Sequence, residues 1–166
     1  VPQQFTKEEV GEYVKCRDDI VYFLKTYVQV IHVDKGLVPF DLYDYQQDLI
    51  NTLHNNRYVI VKSARQSGKS VTSLGYILHY VLFNQTKIVG MLANKASTSR
   101  ELLGRLQTAY QHLPKFLQQG IVEWNKGNIE LENGSKIIAS STSSSAIRGY
   151  SFSLLFLDEF AFVQRT

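Results

Sequence analysis

Residues 63 to 70 have the side chains and the spacing of a loop that binds phosphate. They read Ser63, Ala64, Arg65, Gln66, Ser67, Gly68, Lys69 and Ser70. This is the pattern G-x-x-x-x-G-K-S with its first glycine replaced by Ser63. Gly68 lets the backbone pass close to phosphate oxygens, because it has no Cβ. We expect Lys69 to reach the β- and γ-phosphates and the Ser70 hydroxyl to bind Mg²⁺, so the loop predicts binding of ATP.

Two adjacent acids supply the second half of such a site. The apolar run Leu154 to Leu157 ends in Asp158 and Glu159. An apolar run of this kind is typical of a central parallel strand that is buried on both faces. Ligands bind at the carboxyl ends of such strands. We therefore predict that Asp158 holds Mg²⁺, directly or through water, and that Glu159 polarises the attacking water as general base.

Arginine completes the charge requirement of phosphoryl transfer, because negative charge spreads over the γ-phosphate oxygens in the transition state. Two candidates are present. Arg65 lies inside the loop, and Arg148 precedes Gly149 just upstream of the acidic strand. Each has an ordinary alternative as a solvated surface arginine.

Each of these signals is weaker alone than in combination. The tripeptide Gly-Lys-Ser occurs by chance in roughly one in ten chains of this length at average residue usage. Asp158 and Glu159 alone fit a solvated strand end. The context strengthens the loop: Tyr58 to Val61 is predicted to be a buried strand before it, and apolar residues at helical spacing follow it.

Composition describes an ordinary globular domain. The chain has 166 residues, 44% hydrophobic and 20% charged, with a formal net charge of +3. That charge neither predicts nor excludes nucleic-acid binding. The single cysteine, Cys16, excludes an internal disulfide, suits a reducing cytosol and is expected to be a small core residue on a helix. No apolar run approaches the roughly 18 residues of a membrane span, and the start lacks the pattern of a signal peptide.

The remaining elements are predicted from local patterns. Thr6 and Glu9 form a capping box ahead of one or two helices. Asn133 and Gly134 mark a hairpin turn. The other predictions are an extended segment 30–40, helices at 45–55 and 97–113, and strands at 87–93, 121–124 and 129–139, with a mobile loop at 140–145.

Alternating helices and strands favour the α/β class, with a mostly parallel central sheet flanked by helices. We expect a P-loop NTPase core of the ASCE, RecA-like kind in residues 57–166, preceded by a helical segment in residues 1–56. Such a sheet normally continues beyond an acidic strand. We therefore expect the chain to be a fragment, truncated at its C-terminal side, of a longer enzyme.

From about Asp19 to its end, the sequence resembles the N-terminal ATPase domain of the large terminase subunit, the DNA-packaging motor of tailed bacteriophages, in its T-even-like form. Four stretches carry the resemblance. They are the deviant loop at 63–70, Tyr45–Gln46, Arg148–Gly149 with Ser151–Phe152, and the acidic strand with its exit Asp158–Phe162.

The resemblance implies roles for single residues. Gln46 would read the adenine edge by paired hydrogen bonds, with Tyr45 packing near the base, although Tyr45 could equally be a helix-face aromatic of the core. Arg65 would sense the γ-phosphate within the subunit. Arg148 resembles an arginine that reaches the ATP of a neighbouring subunit.

The resemblance also implies partners and a location. The working enzyme would be a homo-oligomeric ring, a pentamer by analogy, docked on the portal protein of the procapsid and aided by the small terminase subunit. It would use ATP and Mg²⁺ to translocate double-stranded DNA in the host bacterial cytoplasm, and it would be absent from the mature virion. The family's nuclease domain lies beyond this region, so we do not expect nuclease activity.

Two alternatives stay open. A helicase or other DNA translocase of the same division shares the loop, the glutamine and the two acids, although Phe160, Ala161 and Phe162 depart from the usual helicase continuation. A non-hydrolysing nucleotide-binding assembly module is the second alternative, and Ser63 is its best support.

Overall fold

The computed structural model describes residues 4–32, 34–143 and 148–159. The chain divides into two compact units. The first contains residues 1–79 and 108–118, and the second contains residues 80–107 and 119–166. The helices are α1 (Lys7–Asp18), α2 (Ile20–Tyr27), α3 (Asp44–Asn55), α4 (Lys69–Phe83), α5 (Ala96–Gln111) and a 3-10 turn (Lys115–Leu117). The strands are β1 (Gln29–His32), β2 (Gly36–Pro39), β3 (Ile88–Ala93), β4 (Ile121–Trp124), β5 (Asn128–Leu131), β6 (Lys136–Ser141) and β7 (Leu154–Asp158).

The first unit begins with the two helices that local signals predicted. The Thr6 side chain accepts from the Glu9 backbone N–H, and the Glu9 carboxylate accepts from the Thr6 N–H, which confirms the capping box. Asp19 separates α1 from α2 and caps the latter, because its Oδ1 accepts from the backbone N–H of Tyr22 at 2.9 Å.

The core of the first unit forms where α2 packs against its neighbours. Cys16, Phe23 and Leu24 have no exposed surface, which confirms Cys16 as a core residue of a helix. At Gly75 in α4, an added Cβ would lie 2.9 Å from the Leu24 side chain. A glycine therefore permits this close approach to α2. The segment predicted as extended is the antiparallel hairpin β1–β2, in which Ile31 faces Leu37.

The second unit is built on a five-stranded sheet with the order β4-β5-β6-β3-β7. Strand β3 pairs in parallel with β6 and β7, whereas β4–β5 and β5–β6 are antiparallel. The sheet is therefore mixed, rather than mostly parallel as the alternation of elements had suggested. One antiparallel pair, β5–β6, comes from the hairpin at Asn133 and Gly134, where Gly134 has φ +79°. The other, β4–β5, is joined by the short connection between Trp124 and Asn128.

Asn133 does more than form that turn. Its side-chain Nδ2 donates to the carbonyl oxygens of Val81 at 2.8 Å and Asn84 at 3.2 Å. These carbonyls lie at and just beyond the end of α4, where helix carbonyls have no partner within the helix. The hairpin thus supplies a hydrogen-bond donor to the carbonyl groups at the C-terminal end of α4, the helix that follows the phosphate loop.

Two predictions about strands are wrong. Residues 58–61 form no strand, and Ile60 is 98% exposed. Strand β7 is present, but it is not buried on both faces, since Leu155 is 50% and Leu157 is 38% exposed. Apolar composition gave the strand propensity in both places, but burial requires neighbours that cover the chain, and those are not encoded locally.

Within the described ranges, no helix is long and apolar enough to cross a bilayer. Residues 144 and 145 of the predicted mobile loop, and Phe160 to Phe162 after the acidic strand, lie outside the described residues.

Candidate nucleotide-binding site

The phosphate loop lies in the first unit, and α4 begins at its Lys69. The Gly68 carbonyl accepts from the backbone N–H of Thr72 at 3.0 Å, which closes the first helical turn. The first N–H groups of a helix have no acceptor within the helix, and the helix dipole adds positive potential there. The start of this 15-residue helix therefore suits an anion.

The loop reaches the helix through two residues in the left-handed backbone region. Gln66 has φ 60° and Gly68 has φ 75°. An added Cβ at Gly68 would also lie 2.5 Å from Nε2 of Gln46. Glycine at position 68 is therefore favoured by its backbone angle, and a side chain there would also have to displace the amide of Gln46.

The first turn of α3 contacts the loop directly. The Tyr45 hydroxyl donates to the carbonyl oxygen of Ser67 at 2.8 Å. Gln46 is only 4% exposed, and its Oε1 accepts from the backbone N–H of Tyr43 at 3.0 Å. The structure thus brings Tyr45 and Gln46 to the phosphate loop, while the predicted contacts of both residues with adenine stay predictions.

Ser63, the residue that departs from the glycine pattern, uses its hydroxyl within the loop. Its Oγ lies 2.9 Å from the Oγ of Ser67, so one of the two hydroxyls donates to the other. A glycine at position 63 would lack this contact across the loop. Ser63 therefore has a structural role in the loop, and this role explains the departure from glycine without a loss of function.

Lys69 and Ser70 are half-buried in the first turn of α4. The two hydroxyls that follow them are used inside the helix: Thr72 Oγ1 donates to Gly68 O at 2.9 Å, and Ser73 Oγ donates to Lys69 O at 3.0 Å. This back-bonding is common for such residues in helices. These hydrogen bonds hold the side chains of Thr72 and Ser73 against the backbone of the first helical turn.

Basic residues cluster in the sequence of the loop and its flanks. Arg65 is exposed, together with Ala64 and Gln66, in the turn before Gly68. From residue 49 to residue 100 the sequence contains no Asp or Glu, whereas Lys62, Arg65 and Lys69 all fall near the loop. Residues 49–100 therefore contribute no negative charge that would repel a polyanion near the loop.

The acids lie in the second unit. Asp158 ends β7 and is half-buried, and its register partner is Ala93 at the end of the parallel strand β3. Glu159 follows with φ 49° and is exposed. Positive φ is unusual for a glutamate and indicates local backbone strain at this position.

Arg148 also lies in the second unit. It is exposed in a turn with Gly149, whose φ of 100° few other residues adopt without strain. The predicted site residues therefore fall into two groups. The loop, Tyr45 and Gln46 belong to the first unit, and Arg148, Asp158 and Glu159 belong to the second.

Sequence reasoning missed the stacking of Tyr43, which contacts Tyr45 through its ring and has no assigned role in binding. Its ring stacks on that of Tyr45, with centroids 5.6 Å apart and planes 9° apart. The signal was a pair of tyrosines two positions apart at the start of α3. The hydroxyl contact of Tyr45 with Ser67 had no local signal, because the two residues are far apart in sequence.

The residue types fit ATP and Mg²⁺. A helix start with a glycine cradle and a lysine matches the needs of a triphosphate. A hydroxyl and a carboxylate are oxygen ligands of the kind that Mg²⁺ takes, and Mg²⁺ usually completes its shell with phosphates and water. Among residues 4–32, 34–143 and 148–159, no group of three or more His, Cys, Asp or Glu forms a preassembled metal site.

Comparison with known proteins identifies a matching family and a similar fold. Residues 60–166, well over half of the chain, match the family model described as terminase large subunit, T4likevirus-type, N-terminal. Tyr45 and Gln46 precede the matched range. The crystal structure of the HK97 bacteriophage large terminase is similar in fold, with a TM-score of 0.67 and 19% identity over 85% of this chain. This chain spans 30% of the length of that one.

Proposed function

This chain belongs to the family of T4-like large terminase subunits, and from that membership we propose that it is an ATP-binding and hydrolysing motor domain that powers the packaging of double-stranded DNA into a procapsid. The observation that carries the proposal is the loop before α4. Gly68, held at φ 75° against Gln46, opens the start of a 15-residue helix to a phosphate chain.

Binding follows from the chemistry of this helix start. Backbone N–H groups and the helix dipole attract the phosphates, and Lys69 adds a charge-assisted contact to the β- and γ-phosphate oxygens. Gln46 and Tyr45 lie beside the loop, and we assign them to the nucleoside part of the ligand. Their contacts with Gly68 and Ser67 support a site in which base and phosphate recognition are joined.

Hydrolysis requires the second group of residues. When bound, Mg²⁺ neutralises charge that develops on the phosphates, and we assign Ser70 and Asp158 to hold it. Glu159 takes the role of general base for the attacking water. Its exposure leaves the carboxylate accessible to a water molecule. Arg65 and Arg148, both exposed, are the candidates that stabilise the transition-state charge.

The partners of this activity are also proposals. As a packaging motor, the chain would act on double-stranded DNA, at the portal protein, with a small terminase subunit, in a ring of identical subunits. In such a ring, Arg148 would act on the ATP of a neighbouring subunit, whereas Arg65 would act within its own.

Phosphate release from ATP in the presence of Mg²⁺ tests the hydrolytic part of the proposal. We expect Glu159→Ala to keep ATP binding and to lower turnover about 100-fold or more, because the general base is lost. Glu101→Ala is the matched control, since Glu101 is an exposed acid of the same unit, in a surface pair with Arg105. Turnover retained in Glu159→Ala would remove Glu159 from the mechanism, and equal loss in the Glu101 control would indicate a general effect of charge.

A further inference from the structure

Ser67 is held at two atoms by residues outside the glycine-lysine-serine motif. Its carbonyl oxygen accepts from the Tyr45 hydroxyl at 2.8 Å, and its side-chain Oγ lies 2.9 Å from the Oγ of Ser63. Ser67 directly precedes Gly68, the residue on which access to the phosphates depends. The two contacts therefore act on the peptide unit at the centre of the loop.

The planar peptide bond transmits the Tyr45 contact to the ligand side of the loop. The Ser67 carbonyl and the Gly68 N–H belong to one trans peptide plane and point in opposite directions. A hydrogen bond that fixes the carbonyl oxygen therefore fixes the direction of the Gly68 N–H. That N–H is one of the donors available to a phosphate.

The donor is itself well anchored. Tyr45 lies in the first turn of α3, and its ring stacks on Tyr43. The next residue, Gln46, is buried, and its amide nitrogen lies 2.5 Å from the place where a Cβ of Gly68 would be. Two consecutive side chains of the first turn of α3, Tyr45 and Gln46, thus contact the loop.

We infer that Tyr45 is a positioning residue for the phosphate loop, which acts through the Ser67 carbonyl, in addition to any contact with the base. The inference rests on the proposed nucleotide binding and deepens it. It assigns to Tyr45 an effect on the phosphate part of the ligand, which a residue that only packs against the base would not have.

Inorganic tripolyphosphate separates the two roles, because it has the phosphates of ATP and no base. The experiment is calorimetric titration of the wild-type chain and of Tyr45→Phe with tripolyphosphate and with a slowly hydrolysed ATP analogue, each with Mg²⁺. Tyr45→Phe keeps the ring and removes only the hydroxyl. We expect about five-fold weaker binding of both ligands, the effect of one lost hydrogen bond.

Tyr43→Phe is the matched control. It also removes one exposed tyrosine hydroxyl from the same stacked pair, but that hydroxyl is not the donor to Ser67. We expect unchanged affinity for both ligands. Ser63→Ala removes the other contact of Ser67, and we expect it to weaken the binding of both ligands as well. Thermal unfolding of each variant is expected to match the wild type, since these contacts lie at the surface.

Two results would overturn the inference. In the first, Tyr45→Phe binds tripolyphosphate as tightly as the wild type does. A loss of affinity for the ATP analogue alone would then restrict Tyr45 to contact with the base, and no loss for either ligand would leave its hydroxyl without a role in binding. An equal loss in Tyr43→Phe would point to the stacked pair as a whole. Failure of the wild-type chain to bind either ligand is a different outcome, because it would refute the proposed function and the inference with it.

Discussion

At the scale of single residues, the phosphate loop depends on a glycine that has two independent reasons to be there. Gly68 adopts φ 75°, and Nε2 of Gln46 lies 2.5 Å from the place of its missing Cβ. Either constraint alone disfavours a side chain. Together they mean that a change at this position disturbs the backbone and the packing of α3 at once.

We predict that Gly68→Ala lowers the free energy of unfolding by about 1–2 kcal/mol and weakens nucleotide binding at least about ten-fold. Urea unfolding and calorimetric titration measure the two effects. Gly11→Ala is the control, because Gly11 lies in α1 with nothing within 4 Å of an added Cβ. Alanine there is expected to raise stability by about 0.5–1 kcal/mol. Equal effects of the two substitutions would contradict the account of Gly68.

The sequence predicted which residues form the loop, but not the side-chain contacts that hold it. Gly68, Lys69 and Ser70 follow from a motif whose chemistry is local. Ser63 read as a defect in that motif, and only the structure places its hydroxyl against Ser67. The Tyr45 contact with Ser67 was likewise unpredictable, because no local pattern reports which side chain of a distant helix meets a loop.

At the scale of elements, α4 is packed through a buried histidine. His79 is 6% exposed, its Nε2 lies 2.9 Å from the carbonyl oxygen of Cys16, and its ring meets that of Phe23 edge to face at 5.6 Å. Burial lowers the pKa of His79 from 6.5 to about 4, although the Cys16 carbonyl opposes this shift. The histidine is therefore neutral in the folded chain at neutral pH.

This pKa predicts loss of stability in acid. Because the folded pKa lies below the unfolded one, the unfolded chain gains the proton first as pH falls. Stability is fully present above the unfolded pKa of 6.5, declines between 6.5 and about 4, and is constant with respect to this group below that. The decline is expected to be about 3 kcal/mol, measured by urea unfolding against pH.

The variant that tests this is His79→Gln, which retains a side-chain N–H for Cys16 O and cannot titrate. We expect it to flatten the pH profile between 6.5 and 4. His112→Gln, at an exposed histidine, is the control for the substitution itself. A steep profile that survives in His79→Gln would assign the acid sensitivity to other groups.

Elements were predictable where their signals are local. The Thr6 capping box and the Asn133–Gly134 turn are each encoded within a few residues, and both are present. The strand order β4-β5-β6-β3-β7 was not predicted, since the parallel pairing of β3 with β6 and β7 joins segments that are distant in the chain. The exposed Leu155 shows the same limit, because an apolar run does not state what will cover it.

At the scale of the whole molecule, the predicted site is divided between two compact units. The first holds the phosphate loop on α3 and α4, and the second holds Arg148, Asp158 and Glu159. Family membership and the fold shared with the HK97 large terminase were recognisable from the motifs. The predicted boundary between a helical segment and an ATPase core near residue 57 stays a prediction.

The measurement that tests the central claim most directly is calorimetric titration of the chain with a slowly hydrolysed ATP analogue and Mg²⁺. The account predicts binding by the wild type and at least about ten-fold weaker binding by Lys69→Ala, because a charge-assisted contact is lost. Lys62→Ala, which removes an exposed lysine just before the loop, is expected to retain the affinity within about three-fold, because salt screens exposed charges. A folded wild-type chain that binds no nucleotide, or a Lys69→Ala variant that binds as the wild type does, would contradict the account.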